Sequence, residues 1–169
     1  MSLSQLKDII KSIKLLALDV DGVLTDGSLF YSKDGESFKR FNVRDGQGIK
    51  LAQSYEIQIA IISARECEIV KNRFGELGVK HIYQHCYDKT KKINELCSEL
   101  KILIGEVAYI GDDILDVPPL EIVGLPICPK DAHPAATSKA KLITQANGGF
   151  GCVREIIDLI LLEQGKIQI

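Results

Sequence analysis

The sequence has no surplus of basic residues: 21 lysines and arginines stand against 23 aspartates and glutamates, for a formal charge of −2. Binding to a phosphate backbone needs such a surplus, so nucleic acid is not an expected partner. Cysteine pairs are also missing. Cys67, Cys86, Cys97, Cys128 and Cys152 are odd in number, scattered, and never spaced C-x-x-C. That argues against a disulfide framework or a zinc cluster and fits a reducing compartment. Long apolar runs are absent as well. The run that starts at Leu15, behind Lys7, Lys11 and Lys14, is stopped by Asp19, short of the roughly 7–15 apolar residues of a signal peptide. The stretches 57–62 and 156–162 are too short to span a bilayer. No membrane partner is expected, and the location is expected to be cytoplasmic. No repeat, linker or low-complexity segment divides the chain, so residues 1–169 are expected to form one domain with a sizeable core.

What is present is an ordinary globular composition, 46% hydrophobic and 26% charged, arranged as alternating strands and helices. Apolar spacing at Leu6, Ile9, Ile10 and Ile13 gives a helix over 3–13. Buried strands are read at 15–20, 58–62, 82–83, 107–110, 125–128 and 142–143. Helices are read at 45–55 with Asp45 as N-cap, at 65–77 ended by Gly78, and at 89–100. Others follow at 114–123, broken by Pro118 and Pro119, at 134–139 and at 153–162, the last preceded by an NGGFG loop. Residues 28–43 carry Phe30, Tyr31, Phe38 and Phe41 around an Asp34-Gly35 turn and read as a β-hairpin. This alternation predicts an α/β fold: a parallel sheet with helices on both faces, whose ligands bind at the carboxyl ends of the strands.

Chemistry collects at those ends. Asp19 and Asp21 follow the first strand, Ser63 the second, Asp88 and Lys89 the third, and the GDDILD stretch with Asp112, Asp113 and Asp116 the fourth. Each has an ordinary reading alone: D-x-D-G as a turn, GDDILD as a helix cap, Lys89 as part of a solvated face, Ser63 as a cap. An EF-hand is excluded, because Val23 and Phe30 fall where oxygen ligands are required. Together, two acidic clusters, a hydroxyl and a lysine on one rim describe a site for a divalent cation and a phosphate. A carboxylate attacking a phosphate ester brings anion to anion, at ~4 kcal/mol per charge pair at 4 Å and an effective dielectric near 20. A cation between Asp19 and Asp112 offsets that repulsion, with Lys89 and Ser63 on the other phosphate oxygens.

DVDGVLT, a serine after strand two, a downstream lysine and GDDxxD resemble the four motifs of the haloacid dehalogenase superfamily of phosphatases. DVDGVLTDGSLFY, FNVRDGQGIK, VKHIYQ, AYIGDDILDVP, DAHP and GGFGCVRE resemble more closely its group without a cap domain, the 3-deoxy-D-manno-octulosonate 8-phosphate (KDO 8-P) phosphatases. The resemblance runs from about Leu15 to Leu162. It implies a Rossmann-like three-layer fold with the 28–43 hairpin in place of the cap, and a homotetramer closing the site. It implies Asp19 as nucleophile through an aspartyl-phosphate, Asp21 as acid and base, and Ser63 and Lys89 on the phosphate. Mg²⁺ would be held by Asp19, Asp112 and the Asp21 carbonyl, with Asp113 behind them orienting Lys89 or a water. The substrate would be a sugar-acid phosphate of lipopolysaccharide synthesis. Its carboxylate makes Arg65 and Arg73 candidate partners, although both also read as plain surface charges.

Two positions depart from the group: Ala64 stands where S-G-R has glycine, and His85 where a glycine follows the glutamine of strand three. They bear on which sugar is used. A nonulosonate 9-phosphate is the competing substrate, and Arg65 favours the octulosonate, because the nine-carbon group tends to carry glutamate there. Two other classes remain beside these. A phospho-receiver module has its phosphorylated aspartate after strand three, where this chain offers Lys89; a scaffold without turnover would lack part of the catalytic set.

Overall fold

The computed structural model describes residues 3–33 and 35–168. In chain order the elements are α1 (Leu3–Ser12), β1 (Leu15–Leu18), β2 (Phe30–Ser32), β3 (Gly35–Phe38), α2 (Val43–Ser54), β4 (Gln58–Ile62), α3 (Glu68–Glu76) and β5 (His81–Tyr83). They continue with α4 (Lys89–Leu100), β6 (Val107–Ile110), α5 (Val117–Ile122), β7 (Leu125–Cys128), α6 (Pro134–Thr137), β8 (Leu142–Ile143) and α7 (Cys152–Glu163). Six strands form one parallel sheet in the order β5-β4-β1-β6-β7-β8, and β2 pairs with β3 as a separate antiparallel hairpin.

The expected three layers follow from strand alternation. Leu16 and Leu18 of β1 enter a cluster with Ile10, Ile49, Phe74 and Ile160 from α1, α2, α3 and α7. Leu15 and Ala17 face the other way, toward Ile93, Leu96, Leu120 and Ala136 of α4, α5 and α6. All four β1 residues are buried, the near-continuous apolar pattern of a strand covered on both sides. β1 is also where the chain changes direction across the sheet. It builds outward through β4 and β5, then returns to lay β6 on the other side of β1, with Leu18 in register between Ile61 and Ile110. The crevice at such a reversal, beyond the carboxyl ends of the strands, is where this architecture binds ligands.

Several boundaries differ from the sequence reading. β1 stops at Leu18, so Asp19 and Asp21 lie on the loop beyond the strand. α3 begins at Glu68 instead of Arg65, because Ser63 Oγ accepts from Arg65 N and Gln84 Oε1 from Cys67 N, which keeps 63–67 out of the helix. α2 is capped by Asn42, whose side chain accepts from Arg44 N. Asp45, the predicted cap, is buried and instead accepts from Arg154 N at 2.7 Å, in the first turn of α7. Burial and that contact are linked: Asp45 fastens one helix to the start of another. The predicted Asp34-Gly35 turn falls partly outside the described residues at Asp34; Gly35 opens β3.

Candidate active site

The loop after β1 is fixed at both ends. Asp19 N donates to Ile110 O at 3.0 Å, tying the tip of β1 to β6. Val23, Leu24 and Thr25 N then all donate to Val20 O, and Asp19 Oδ1 accepts from Val20 N at 2.7 Å. This tight turn places Asp19 and Asp21. Gly22 has φ +85°, and a Cβ there would lie 2.0 Å from Asp112 Oδ2. Glycine is needed for both reasons, and its absence of side chain lets Asp112, beyond β6, come against the loop.

Lys89, the first residue of α4, is buried with Nζ 2.9 Å from Asp19 Oδ2 and 2.7 Å from Asp116 Oδ1. Asp116 is wholly buried. Its Oδ1 also accepts from Tyr109 Oη at 2.5 Å, and its Oδ2 from Asp112 N and Asp113 N at 2.8 and 3.1 Å. Sequence reasoning placed Asp116 in the acidic cluster without a role. Here it organises the site, holding Lys89 beside Asp19 and shaping the backbone that presents Asp112.

The carboxylates of Asp19, Asp112 and Asp116 come within 4.8 Å of one another. Both Asp116 oxygens already accept two hydrogen bonds, so Asp19 and Asp112 are the donors left for a cation. Asp112 Oδ1 is buried without a hydrogen-bond partner, a costly state for a carboxylate unless a cation completes it. Burial, and then the negative charges of Asp19, Asp116 and Asp113, push Asp112 up to about 8. Burial pushes Asp19 up to about 7, with Lys89 pulling the other way. Lys89 is held above its usual value: burial works against its charge, and Asp19 and Asp116 outweigh it. The donor set is all hard oxygen, as Mg²⁺ prefers.

Ser63 stands buried at the end of β4, its N donating to Tyr83 O. Arg65 crosses from the loop beyond to the hairpin, with Nη2 3.1 Å from Glu36 Oε2 and Nε 3.5 Å from Asp21 Oδ2. Lys39, at the end of the hairpin, contacts Asp21 Oδ1 at 2.5 Å; sequence reasoning did not single it out. Asp113 instead caps the 3₁₀ turn at Ile114–Asp116, accepting from Ile114 N. Arg73 is not brought to the cluster: it packs on α2 at Gly46 and pairs with Glu76 at 3.6 Å. Clefts lined by Lys11, Lys14, Lys101 and Lys166 open at the opposite edge, by the amino ends of the strands.

Residues 81–156 match the haloacid dehalogenase-like hydrolase family. Over 157 residues the chain is 45% identical to the 3-deoxy-D-manno-octulosonate 8-phosphate phosphatase of Escherichia coli K12, spanning 93% of this chain and 84% of that protein. The crystal structure of the phosphatase of that name from Yersinia pestis is similar with a TM-score of 0.93 at 42% identity, over 96% of this chain and 88% of that one. A Moraxella catarrhalis phosphatase of the same name, solved with magnesium, phosphate and KDO, is similar with a TM-score of 0.93 at 36% identity, over 97% and 94%.

Proposed function

The chain belongs to the haloacid dehalogenase-like hydrolases, among the KDO 8-P phosphatases, and from this we propose that it hydrolyses KDO 8-phosphate to KDO and inorganic phosphate. Mg²⁺ is its cofactor: Asp19, Asp112 and the Asp21 carbonyl would hold it, and it would supply the positive charge that offsets repulsion between attacking carboxylate and phosphate. Asp19 attacks phosphorus, its carboxylate forming an aspartyl-phosphate as the bond to the sugar oxygen breaks. Asp21 gives its proton to that departing oxygen, then takes one from a water whose oxygen attacks phosphorus and frees Asp19. Lys89 opposes the rise that burial gives Asp19, favouring its ionised form, and, with Ser63, holds phosphoryl oxygens. Arg65 receives the sugar acid's carboxylate, for which its planar fork is suited.

The observation that carries this reading is Asp19 paired with a buried lysine at 2.9 Å beside a carboxylate oxygen left without a partner. Phosphate release from KDO 8-phosphate that needs Mg²⁺ and stops in EDTA supports it; release unaffected by EDTA contradicts it. We also propose that the chain acts as one domain with the hairpin as insert, in the cytoplasm, and as a homotetramer. In support of assembly, Tyr31 and Phe38 on the hairpin are 64% and 55% exposed, apolar surface that another copy would cover. Sedimentation analysis tests it. No helix among the described residues is long and apolar enough to cross a membrane.

A further inference from the structure

The hairpin is a slight structure: strands of three and four residues, with every residue of β2 exposed. A two-stranded ribbon of that size is marginal on its own in water. What fastens it over the site is a ring of four charged side chains from three separate segments. Lys39 Nζ lies 2.5 Å from Asp21 Oδ1 and 2.7 Å from Glu36 Oε1. Glu36 Oε2 lies 3.1 Å from Arg65 Nη2, and Arg65 Nε closes the ring 3.5 Å from Asp21 Oδ2. With Asp21 ionised, as it is when it takes the water's proton, the signs alternate around the ring, so every charge has an opposite neighbour on each side.

Lys39 is the unusual member. Its side chain is 1% exposed, and a lysine is rarely so buried unless paired. Burial works against its charge, yet its pairing with Asp21 and Glu36 wins and holds the ammonium above its usual pKa. Glu36 is correspondingly held low: burial raises it, and Lys39 and Arg65 more than reverse that. A strut that only pinned the hairpin down could grip any carboxylate on the catalytic loop. This one grips Asp21, which must face first the leaving oxygen and then a water.

We infer that Lys39 is a positioning residue: it sets the direction of the Asp21 carboxylate, and Glu36 holds Lys39 in place. The inference rests on the phosphatase reading above. Its consequence depends on the leaving group. A sugar alkoxide departs only as Asp21 delivers a proton to it, whereas p-nitrophenolate departs without one. A misdirected Asp21 therefore slows phosphoryl transfer from the sugar and spares transfer from p-nitrophenyl phosphate.

The test is rapid-quench measurement of phosphoenzyme formation with Mg²⁺ on the full chain, comparing wild type, Lys39→Met, Lys39→Arg and Glu36→Gln. Lys39→Met is expected to slow formation from KDO 8-phosphate by ~10²-fold, the scale of a lost general acid. Formation from p-nitrophenyl phosphate is expected to change by less than about fivefold, because that leaving group needs no proton. The phosphoenzyme then accumulates, since water activation also falters. Lys39→Arg restores most of the rate, and Glu36→Gln shares the selective loss more weakly. Equal slowing with both substrates overturns the inference, because a strut or a phosphate contact would slow both. Unchanged rates in Lys39→Met also overturn it, while wild-type turnover in the same experiment leaves the phosphatase reading standing.

Discussion

Asp116→Asn is the substitution from which the structure predicts most. The carboxylate is wholly buried and accepts from Lys89, Tyr109 and the backbone N–H groups of Asp112 and Asp113. An amide keeps the size and loses one acceptor. Turned one way, its NH₂ meets the Lys89 ammonium; turned the other, it meets two backbone N–H groups. Either leaves a buried donor facing a donor, and Lys89 keeps Asp19 as its one remaining charged partner. Breaking a buried ion pair from one side costs ~3–5 kcal/mol, which in a chain of this length lowers Tm by roughly 10 °C. Urea denaturation should show a lower midpoint at an unchanged m-value, as expected for lost stability alone. Activity should fall further than stability, because Lys89 and the Asp112 backbone lose the group that aligns them. A variant within about 1 kcal/mol of wild type, with full Mg²⁺-dependent turnover, would refute the reasoning, since an exposed pair costs no more than that.

Three further outcomes follow from the same geometry. Asp112 is raised from 3.8 to about 8, chiefly by burial. Without metal the native state therefore keeps a proton that the unfolded chain releases, and stability falls as pH rises across that window, at most ~1.4 kcal/mol per pH unit for this group. In EDTA near pH 8.5, Asp112→Asn should be more stable than wild type, a difference that shrinks toward acid pH, and Mg²⁺ should raise the Tm of wild type but not of the variant. Thermal denaturation across pH checks both. Gly22→Ala should abolish Mg²⁺ binding measured by calorimetry, because its Cβ would displace Asp112 Oδ2, 2.0 Å away. Gly148→Ala, whose Cβ would lie 1.8 Å from Gly22 O, should push the catalytic loop aside and cost ~1–3 kcal/mol by overpacking, with kcat falling more than KM rises.

Much of this was readable before the structure. The four inner strands of the main sheet, β4, β1, β6 and β7, stand near their expected positions because a strand buried on both faces leaves a short apolar run that little else produces. The meeting of Asp19, Lys89 and Asp112 was legible for a related reason: each lies beyond a strand, and a parallel sheet brings all such ends to one edge. Residues whose partners lie far along the chain were not. Asp45 opens a helix, where an acid reads as a cap, yet its contact is 109 residues away at Arg154. Lys39 sits in a hairpin that looks like a plain connection until it folds back on Asp21. Asp116 carries the same letter as its neighbours in GDDILD, and only the fold distinguishes the one turned inward. Arg73 has the charge that a carboxylate calls for, but its helix turns it toward α2.

The central claim is that Asp19 transfers the phosphoryl group of an eight-carbon sugar acid. The most direct test measures kcat/KM with Mg²⁺ for KDO 8-phosphate, a nonulosonate 9-phosphate and a generic sugar phosphate, using wild type and Asp19→Asn. The account predicts a strong preference for KDO 8-phosphate in wild type and no measurable turnover in the variant. A preference for the nine-carbon acid, or turnover that survives in Asp19→Asn, would contradict it.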